Sequence, residues 1–485
     1  MALFKQQSCS SPVDGGERFE DWLLAAGCAL ITFLLFLPFA RIGVDPHHDG
    51  VMIKPALDVF HGQTQFRDTF NQYGALPTFF QSLSMYVWGP RIFAIRMCTI
   101  LFYAITSAFL YLTYRSVIGR RLALLSVAFW IVQSHYFHET YLLPWSSVYA
   151  LLFQVLTMYC VAKSLRSGRV MTWVFLAGVS AALSALGRTP SGGIVVLSTA
   201  VVYCCLALFL RRRSYLANVA VFGCGFVVIL GLFWLWLIHA GAFTECWNQL
   251  IEFPRSVYIH KVRLEPLLSR IWSALWLTAQ VFGFLWACRH WRSERHRGAI
   301  VVGSLSLVTF IIGTCVWRWE FGVYGWPFTI ALFALFAFSL SAKKLVQKGY
   351  NREDTLVLSL SVAGLVSFIQ LYHSPGPATY FWTEVLAVGA ALYFIHNFGG
   401  ARWNLTLFTL ALFLAPTLVL KGRTVWRVLR TERLQFQGAS PLEGMRETDD
   451  RFHHLQGILD VINQYQQSFG DRAVVVEGRD ALYAG

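Results

Sequence analysis

The sequence predicts an all-α polytopic membrane protein with about thirteen transmembrane helices and a small α/β segment at the C-terminus. Two observations lead to this prediction. Of the 485 residues, 56% are hydrophobic and only 14% are charged, which is too apolar for a soluble enzyme and typical of a membrane protein. In addition, apolar runs long enough for a helix to cross a bilayer recur between residues 22 and 420.

The predicted spans follow these apolar runs in chain order. The run from Tyr73 to Gly89 is short and contains Pro77, so we predict an interfacial or re-entrant helix there instead of a span. The spans are expected near residues 22–40, 92–114, 121–137, 144–163, 171–187, 192–210, 217–239, 267–288, 299–317, 324–341, 355–372, 381–397 and 403–420.

The basic residues predict the orientation in the membrane. Lys and Arg cluster in every second loop, for example at Arg211–Arg213, and an excess of these residues marks cytoplasmic loops. The N-terminus is therefore predicted inside and the C-terminus outside. The same loops account for the net charge of +14, so no nucleic-acid partner is expected. The ten cysteines form no CxxC pair, which predicts neither a disulfide framework nor a thiolate metal site.

The chain divides into three predicted regions. A polar cytoplasmic tail precedes the membrane domain, and the first outer loop of that domain is long. The last region is more charged and has no spanning run; it contains an amphipathic helical pattern at Gln456–Gln467 and a strand-like run at Ala473–Glu477. The predicted boundaries are 1–20 for the tail, 21–420 for the membrane domain with its first outer loop at 41–91, and 421–485 for the extracytoplasmic segment.

The first outer loop opens with the polar sequence Asp45-Pro46-His47-His48-Asp49. Two carboxylates and two imidazoles beside a bilayer are costly unless they have a function. Asp45 before Pro46 predicts a helix N-cap with proline at the first helical position, which gives Asp45 a structural role. Asp49, one turn further on, is therefore the first candidate for a general base, and Asp45 is the second.

A divalent cation is the alternative for the same residues. Asp45, His48 and Asp49 are candidate ligands, and a cation held there would neutralise a leaving phosphate. The sequence does not decide whether His47 and His48 hold a metal ion, bind substrate or only shape the loop.

A second polar stretch of the loop predicts contacts with sugar hydroxyls and, through Tyr73, stacking on a sugar ring. The alternative is an ordinary turn, since Asn and Gly are common in loops. Arg96, at the start of the second span, is predicted to pair with a loop carboxylate. The candidate substrate-binding residues of this stretch are Arg67, Asp68, Asn71, Gln72 and Tyr73.

Polar residues at the ends of later spans fall on the same predicted outer face and suggest one shared cavity. Arg188 is a candidate clamp for a phosphate group, although an arginine at a helix end also extends to the membrane surface without binding anything. Arg255 and Tyr258 are candidates for a phosphate or headgroup contact, and His138 and Glu139 for the acceptor side. The remaining candidate on this face is His373.

The order of these features resembles the GT-C superfamily of membrane glycosyltransferases, which includes the protein O-mannosyltransferases and the lipid A aminoarabinose transferases. In this pattern an acidic motif follows the first span, an interfacial helix comes next, and an arginine opens the second span. The residues that carry the resemblance are Asp45–Gly50, Gly62, Arg67-Asp68, Tyr73-Gly74-Ala75-Leu76-Pro77, Gly89 and Arg96.

The resemblance implies a glycosyltransferase that takes a hexosyl or pentosyl unit from a polyprenyl-phosphate-linked donor. It further implies an extracytoplasmic active site, inversion at the anomeric carbon and a first-loop acid as general base. The acceptor would be an envelope glycan, a lipid or a protein, and the location a bacterial inner membrane. Relatives often carry an adjacent Asp-Glu pair where this chain has His48-Asp49, with Asp45 four residues earlier. The base assignment therefore stays open between the two aspartates.

A transporter or flippase of lipid-linked sugars is the competing function, because it would share a polar cavity. It predicts charged residues near mid-membrane and internal repeats, whereas the polar exceptions here sit at predicted span ends. A polymerase or ligase of surface glycan is a subclass of the same transfer chemistry. The chain has no GxGxxG motif or P-loop, which agrees with a lipid-linked donor instead of a nucleotide sugar.

Overall fold

The computed structural model describes residues 19–134, 142–166, 169–258, 265–291, 296–317, 325–372, 381–438 and 441–469. Helices make up most of these ranges. Their bounds are α1 Phe19–Phe36, α2 Pro46–Phe60, α3 Ala75–Trp88, α4 Ile92–Val117, α5 Arg120–Gln133, α6 Ser146–Ser164, α7 Val170–Gly187, α8 Thr189–Leu210, α9 Ser214–His239, α10 Phe243–Trp247, α11 Phe253–Tyr258, α12 Glu265–His290, α13 His296–Trp317, α14 Trp326–Lys348, α15 Arg352–Ser367, α16 Ala387–Phe398, α17 Trp403–Arg430 and α18 Asp449–Phe469.

Within these described ranges, eleven helical stretches have the length and apolar composition to cross a membrane. Each overlaps one of the predicted spans, and the predicted all-α polytopic architecture is confirmed. The other two predicted spans, 121–137 and 381–397, correspond to α5 and α16, which have 14 and 12 residues. The predicted interfacial helix corresponds to α3, whose 14 residues extend about 21 Å at 1.5 Å per residue.

Close backbone packing holds the first half of the bundle together. Helices α7 and α9 approach each other at two glycines: a Cβ at Gly178 would overlap the carbonyl oxygen of Phe222, and a Cβ at Gly225 would overlap that of Phe175. Small residues let helix backbones approach closely where lipid offers no hydrophobic driving force. Away from these contacts the helices present large apolar side chains outward, such as Leu232 and Leu235 of α9, which are 60% and 65% exposed.

The C-terminal segment folds back onto the first loop. Two short antiparallel strands, β1 (Leu434–Gln435) and β2 (Arg446–Glu447), form a hairpin that precedes α18. The sequence did not predict this hairpin, and α18 starts well before the predicted Gln456–Gln467 helix. Helix α17 also continues to Arg430, beyond the predicted end of the last span at 420. The predicted strand at 473–477 lies outside the described residues.

A small apolar cluster joins the hairpin to the first loop. Phe436, Leu442 and Met445 of the C-terminal segment are buried with Val44 and Met52. Main-chain hydrogen bonds reinforce this contact: Gly43 N donates to Arg446 O at 2.8 Å and Ile92 N to Pro441 O at 2.9 Å. The loop that carries the acidic motif therefore rests on the last described part of the chain.

Candidate functional site

The acidic motif forms the first turn of α2. The Asp45 backbone is extended, and its carboxylate Oδ1 accepts a hydrogen bond from His48 N at 2.9 Å, with Pro46 at the start of the helix. The predicted N-cap is confirmed. The cap satisfies one of the four backbone N–H groups that a helix start leaves without a partner inside the helix.

Asp49 is sealed inside the protein. Its carboxylate Oδ2 accepts a hydrogen bond from Arg96 Nη2 at 2.6 Å, and both side chains are 0% exposed. Arg96 Nη1 also donates to Ile42 O at 3.0 Å. Arg96 therefore pairs with a loop carboxylate, as predicted. Burial raises the pKa of Asp49, and the positive charge of Arg96 opposes this shift.

Asp45 and His48 form a second, accessible pair. His48 Nδ1 lies 2.9 Å from Asp45 Oδ2, and the two side chains are 36% and 25% exposed. Of the two loop aspartates, Asp45 is therefore the one that solvent or a substrate reaches. The sequence favoured Asp49 as the general base and placed Asp45 second. The burial of Asp49 argues against this order.

Aromatic side chains border this pair. The Trp145 ring lies 5.0 Å from the His48 ring and 5.2 Å from the Trp382 ring, measured between centroids. Trp382 Nε1 in turn donates to Tyr103 Oη at 3.2 Å. Side chains from the first loop, from the residue preceding α6 and from residue 382 thus form one contiguous cluster, in which His48 and Trp145 are partly exposed and Trp382 and Tyr103 are buried. Sequence analysis did not select Trp145, because one tryptophan among eighteen carries no signal of its own.

Arg188 reaches the start of α6 from the α7–α8 junction. Its Nη1 donates to the Ser147 hydroxyl, two residues after Trp145, and its side chain is half-buried. Arg188 sits between the end of α7 and the start of α8 in an extended conformation. His48, which pairs with Asp45, and Arg188 therefore contact residues two positions apart at the start of α6.

Gly74 fixes the first loop against this junction. A Cβ at Gly74 would overlap the carbonyl oxygen of Leu186 and approach Gly187. We expect Gly74→Ala to lower the free energy of unfolding by about 1–3 kcal/mol, since overpacking forces the backbone to move. Gly193→Ala is the matched control, because nothing lies within 4 Å of its Cβ position. The measurement is the unfolding midpoint of each purified variant. Equal midpoints for Gly74→Ala and Gly193→Ala would contradict the predicted loss of stability.

Arg67 and Asp68 bind each other. Arg67 Nε donates to Asp68 Oδ1 at 2.9 Å, and Nη2 donates to Oδ2 at 3.0 Å. This pairing lowers the pKa of Asp68 to about 2. Arg67 Nη1 also reaches Ala240 O at 3.1 Å. These contacts link the first loop to the turn after α9.

Asn71 is a buried part of a turn. Its backbone N donates to Gln249 Oε1 at 2.7 Å, and its Nδ2 donates to Thr78 Oγ1 at 2.9 Å. Gln249 also donates from Nε2 to Phe66 O, so it braces the loop at two points. Sequence analysis did not select Gln249. Gln72 and Tyr73, beside Asn71, are half-buried.

The other predicted site residues divide into two groups. Arg255 is exposed on α11, two residues after Phe253, whose ring packs 5.2 Å from the ring of Phe70 in the first loop. The rest have side chains outside the described residues: His47, His138, Glu139, Tyr258 and His373.

The described side chains do not fit a resident cation. Among the described residues, no group of three or more His, Cys, Asp or Glu side chains could hold a metal ion. Asp45 and His48 would supply two ligands, but Asp49 faces Arg96, whose charge repels a cation. The divalent cation stays a prediction, and no chemical step below is assigned to one.

Residues 74–239 match a family model described as dolichyl-phosphate-mannose-protein mannosyltransferase. The fold is similar to that of the oligosaccharyltransferase of Archaeoglobus fulgidus. The predicted resemblance to GT-C membrane glycosyltransferases is confirmed. The matched stretch contains Arg96, Trp145, Ser147 and Arg188, and it begins after the acidic motif.

Two solved structures of that oligosaccharyltransferase give the measure of the likeness. The complex with zinc and sulfate has a TM-score of 0.52 at 14% identity, covering 96% of this chain and 58% of that one. The complex with an inhibitory peptide and a dolichol-phosphate has the same TM-score and identity and covers 96% and 62%. This chain thus spans about three fifths of their length. No curated protein sequence matches it.

Proposed function

We propose that this protein is an integral-membrane glycosyltransferase that moves a sugar from a polyprenyl-phosphate-linked donor to an acceptor hydroxyl. The observation that carries the proposal is the accessible Asp45–His48 pair, bordered by Trp145 and, through Ser147, by Arg188. The match to a family of dolichyl-phosphate-mannose-dependent mannosyltransferases supports the lipid-linked donor. The alternation of basic loops supports an extracytoplasmic site with the N-terminus inside, and the proposed location is a bacterial inner membrane.

Asp45 is the proposed general base. Its carboxylate takes the proton of the acceptor hydroxyl while the acceptor oxygen bonds to the anomeric carbon of the sugar. The bond between that carbon and the phosphate oxygen breaks, and the electron pair leaves with the polyprenyl phosphate. Attack from the side opposite the phosphate inverts the anomeric configuration. His48 holds the carboxylate through its 2.9 Å contact, and its ring lies 5.0 Å from that of Trp145.

Arg188 is the proposed ligand of the leaving phosphate. A guanidinium group offers two parallel N–H donors to phosphate oxygens and stabilises the charge that develops on them. The Trp145 ring offers an apolar face on which a sugar can stack. The Arg67–Tyr73 stretch shapes the loop through the internal contacts described above. Its role in sugar binding stays a prediction.

Arg188→Gln is expected to lower kcat/KM for the lipid-linked donor by about 10²-fold, because it removes the positive charge that stabilises the leaving phosphate. The measurement is release of polyprenyl phosphate from a panel of polyprenyl-phosphate hexoses and pentoses by the protein in lipid nanodiscs. Arg255→Gln, on the exposed face of α11, is the comparison. A donor kcat/KM that Arg188→Gln leaves within about twofold of wild type would contradict the proposed phosphate contact.

The same reaction in sealed proteoliposomes, which enclose a second compartment, tests the function as a whole. A transferase releases polyprenyl phosphate and yields a glycosylated product, whereas a flippase moves the donor across the bilayer and leaves it intact. Envelope extracts supply glycan, lipid and protein acceptors together. Translocation of intact donor without any product, across the whole panel, would refute the transferase and favour the flippase.

A further inference from the structure

A basic cavity lies behind the loop that carries Asp45. It has a volume of about 700 Å³, within the range of small-molecule binding sites. Its walls come from the turn after α1, from the start of α4, from the end of α17 and from the C-terminal hairpin. None of the residues assigned to sugar transfer above lines it.

Three arginines line one part of the cavity: Arg41, Arg433 and Arg446. The Arg41 guanidinium lies 4.4 Å from the centre of the Phe93 ring, and Arg433 Nη1 donates to Thr431 O at 2.9 Å. The described lining contains no Asp or Glu. Two acids adjoin lining residues in the chain and neither lines the cavity. Glu447 is 3% exposed and accepts the Val44 N–H at 2.8 Å, and Glu432 is exposed. The cavity therefore has an excess of positive charge.

Apolar side chains line the other part. Leu37 and Pro38 extend α1, and Leu429 belongs to the last turn of α17. Both helices are long and apolar enough to cross the membrane, and both present apolar side chains outward, including Leu34 at 54% and Val419 at 52% exposure. A molecule seated against the arginines would therefore have a lipid-facing path for a hydrocarbon chain between α1 and α17.

We propose that this cavity binds the phosphate headgroup of an anionic membrane lipid. Arg41, Arg433 and Arg446 contact the phosphate, for which guanidinium groups have matching geometry. The hydrocarbon chain passes Leu37 and Leu429 into the bilayer. Basic pockets between transmembrane helices recognise anionic lipid headgroups by this combination of charge and apolar wall.

Occupancy of the cavity would act on the acidic loop. Ile42 lines the cavity and accepts a hydrogen bond from Arg96, and Gly43 N donates to Arg446 O. Asp45 follows three residues after Ile42. A lipid phosphate held by Arg41 and Arg446 would therefore bridge the two segments that are joined by the Gly43–Arg446 hydrogen bond. It would stabilise the backbone that leads to Asp45. The binding itself does not depend on the proposed transfer reaction.

The test is lipid binding to the purified full chain, measured by native mass spectrometry. Wild type is expected to bind phosphatidylglycerol at least about tenfold more tightly than phosphatidylcholine. Arg41→Gln/Arg446→Gln is expected to reduce that ratio to below about threefold. Arg430→Gln is the matched control: Arg430 is an exposed arginine at the end of α17 that stacks on Trp426 and does not line the cavity. Its ratio should equal that of wild type.

Two competitors identify the source of the phosphate. Displacement of phosphatidylglycerol by undecaprenyl phosphate would assign the cavity to the carrier lipid, and failure to displace it would assign a bilayer phospholipid; both results support an anionic-lipid site. Competition by inorganic phosphate as strong as that by lipid would overturn the proposal. So would an unchanged ratio in the double variant. Arg41→Gln alone, outside the hairpin, keeps the test valid if the double variant unfolds.

Discussion

Asp45→Asn is expected to lower the rate of sugar transfer by about 10²- to 10⁴-fold, the usual contribution of a general base. An amide cannot take the proton of the acceptor hydroxyl. Asparagine caps a helix as well as aspartate does, so α2 should keep its start and the protein its fold. The measurement is kcat for release of polyprenyl phosphate in nanodiscs, together with the unfolding midpoint.

The control for this variant is Asp449→Asn. Asp449 also lies at a helix start, and its side chain is 75% exposed, so its loss should leave kcat unchanged. If Asp45→Asn kept more than about a third of the wild-type kcat, general-base catalysis by Asp45 would be excluded. Asp49→Asn separates the two candidates, because its expected defect is in the amount of folded protein and not in a proton-transfer step.

Arg96→Gln is expected to lower the free energy of unfolding by about 3–5 kcal/mol, the cost of leaving a buried charge without its partner. Both members of the Arg96–Asp49 pair are 0% exposed, so neither water nor salt can replace the lost contact. The measurement is the unfolding free energy of the purified protein in detergent, from a denaturant titration.

Two further variants make that result specific. Arg91→Gln breaks the Arg91–Glu443 pair, which spans 3.4 Å with both side chains more than a third exposed, and should cost only about 0–1 kcal/mol. Replacing both buried partners by apolar residues, as in Arg96→Met/Asp49→Leu, should recover most of the stability. A loss for Arg96→Gln no larger than that for Arg91→Gln would show that the buried pair does not hold the loop.

Local pattern was enough to predict eleven of the thirteen spans and the cap of α2. The thickness of the bilayer sets the length of the apolar runs. Asp45 followed by Pro46 is a typical sequence for the start of a helix. The pairing of Arg96 with a loop carboxylate was also predictable, because a charge near a span start needs a partner.

The order of the two aspartates was not predictable, since it depends on depth of burial. Asp49 is buried against Arg96, which lies 47 residues away in the chain. Val44 of the same loop is bonded to Glu447, 403 residues away. The pairing of Arg67 with Asp68 was not predictable from composition either, and their predicted role in sugar binding stays a prediction. The contact of Trp145 with His48 was not predictable either, because it depends on how the fold brings distant parts of the chain together.

The contact between Val44 N and Glu447 can form only some time after Val44 has been synthesised. The two residues are separated by 403 positions, so at roughly 5–20 residues per second the ribosome needs about 20–80 s between them. During that interval α1 and the acidic loop are already at the membrane, but the hairpin that closes over the loop does not yet exist. The loop that holds Asp45 can therefore make this contact only after α17, which ends at Arg430, has been synthesised.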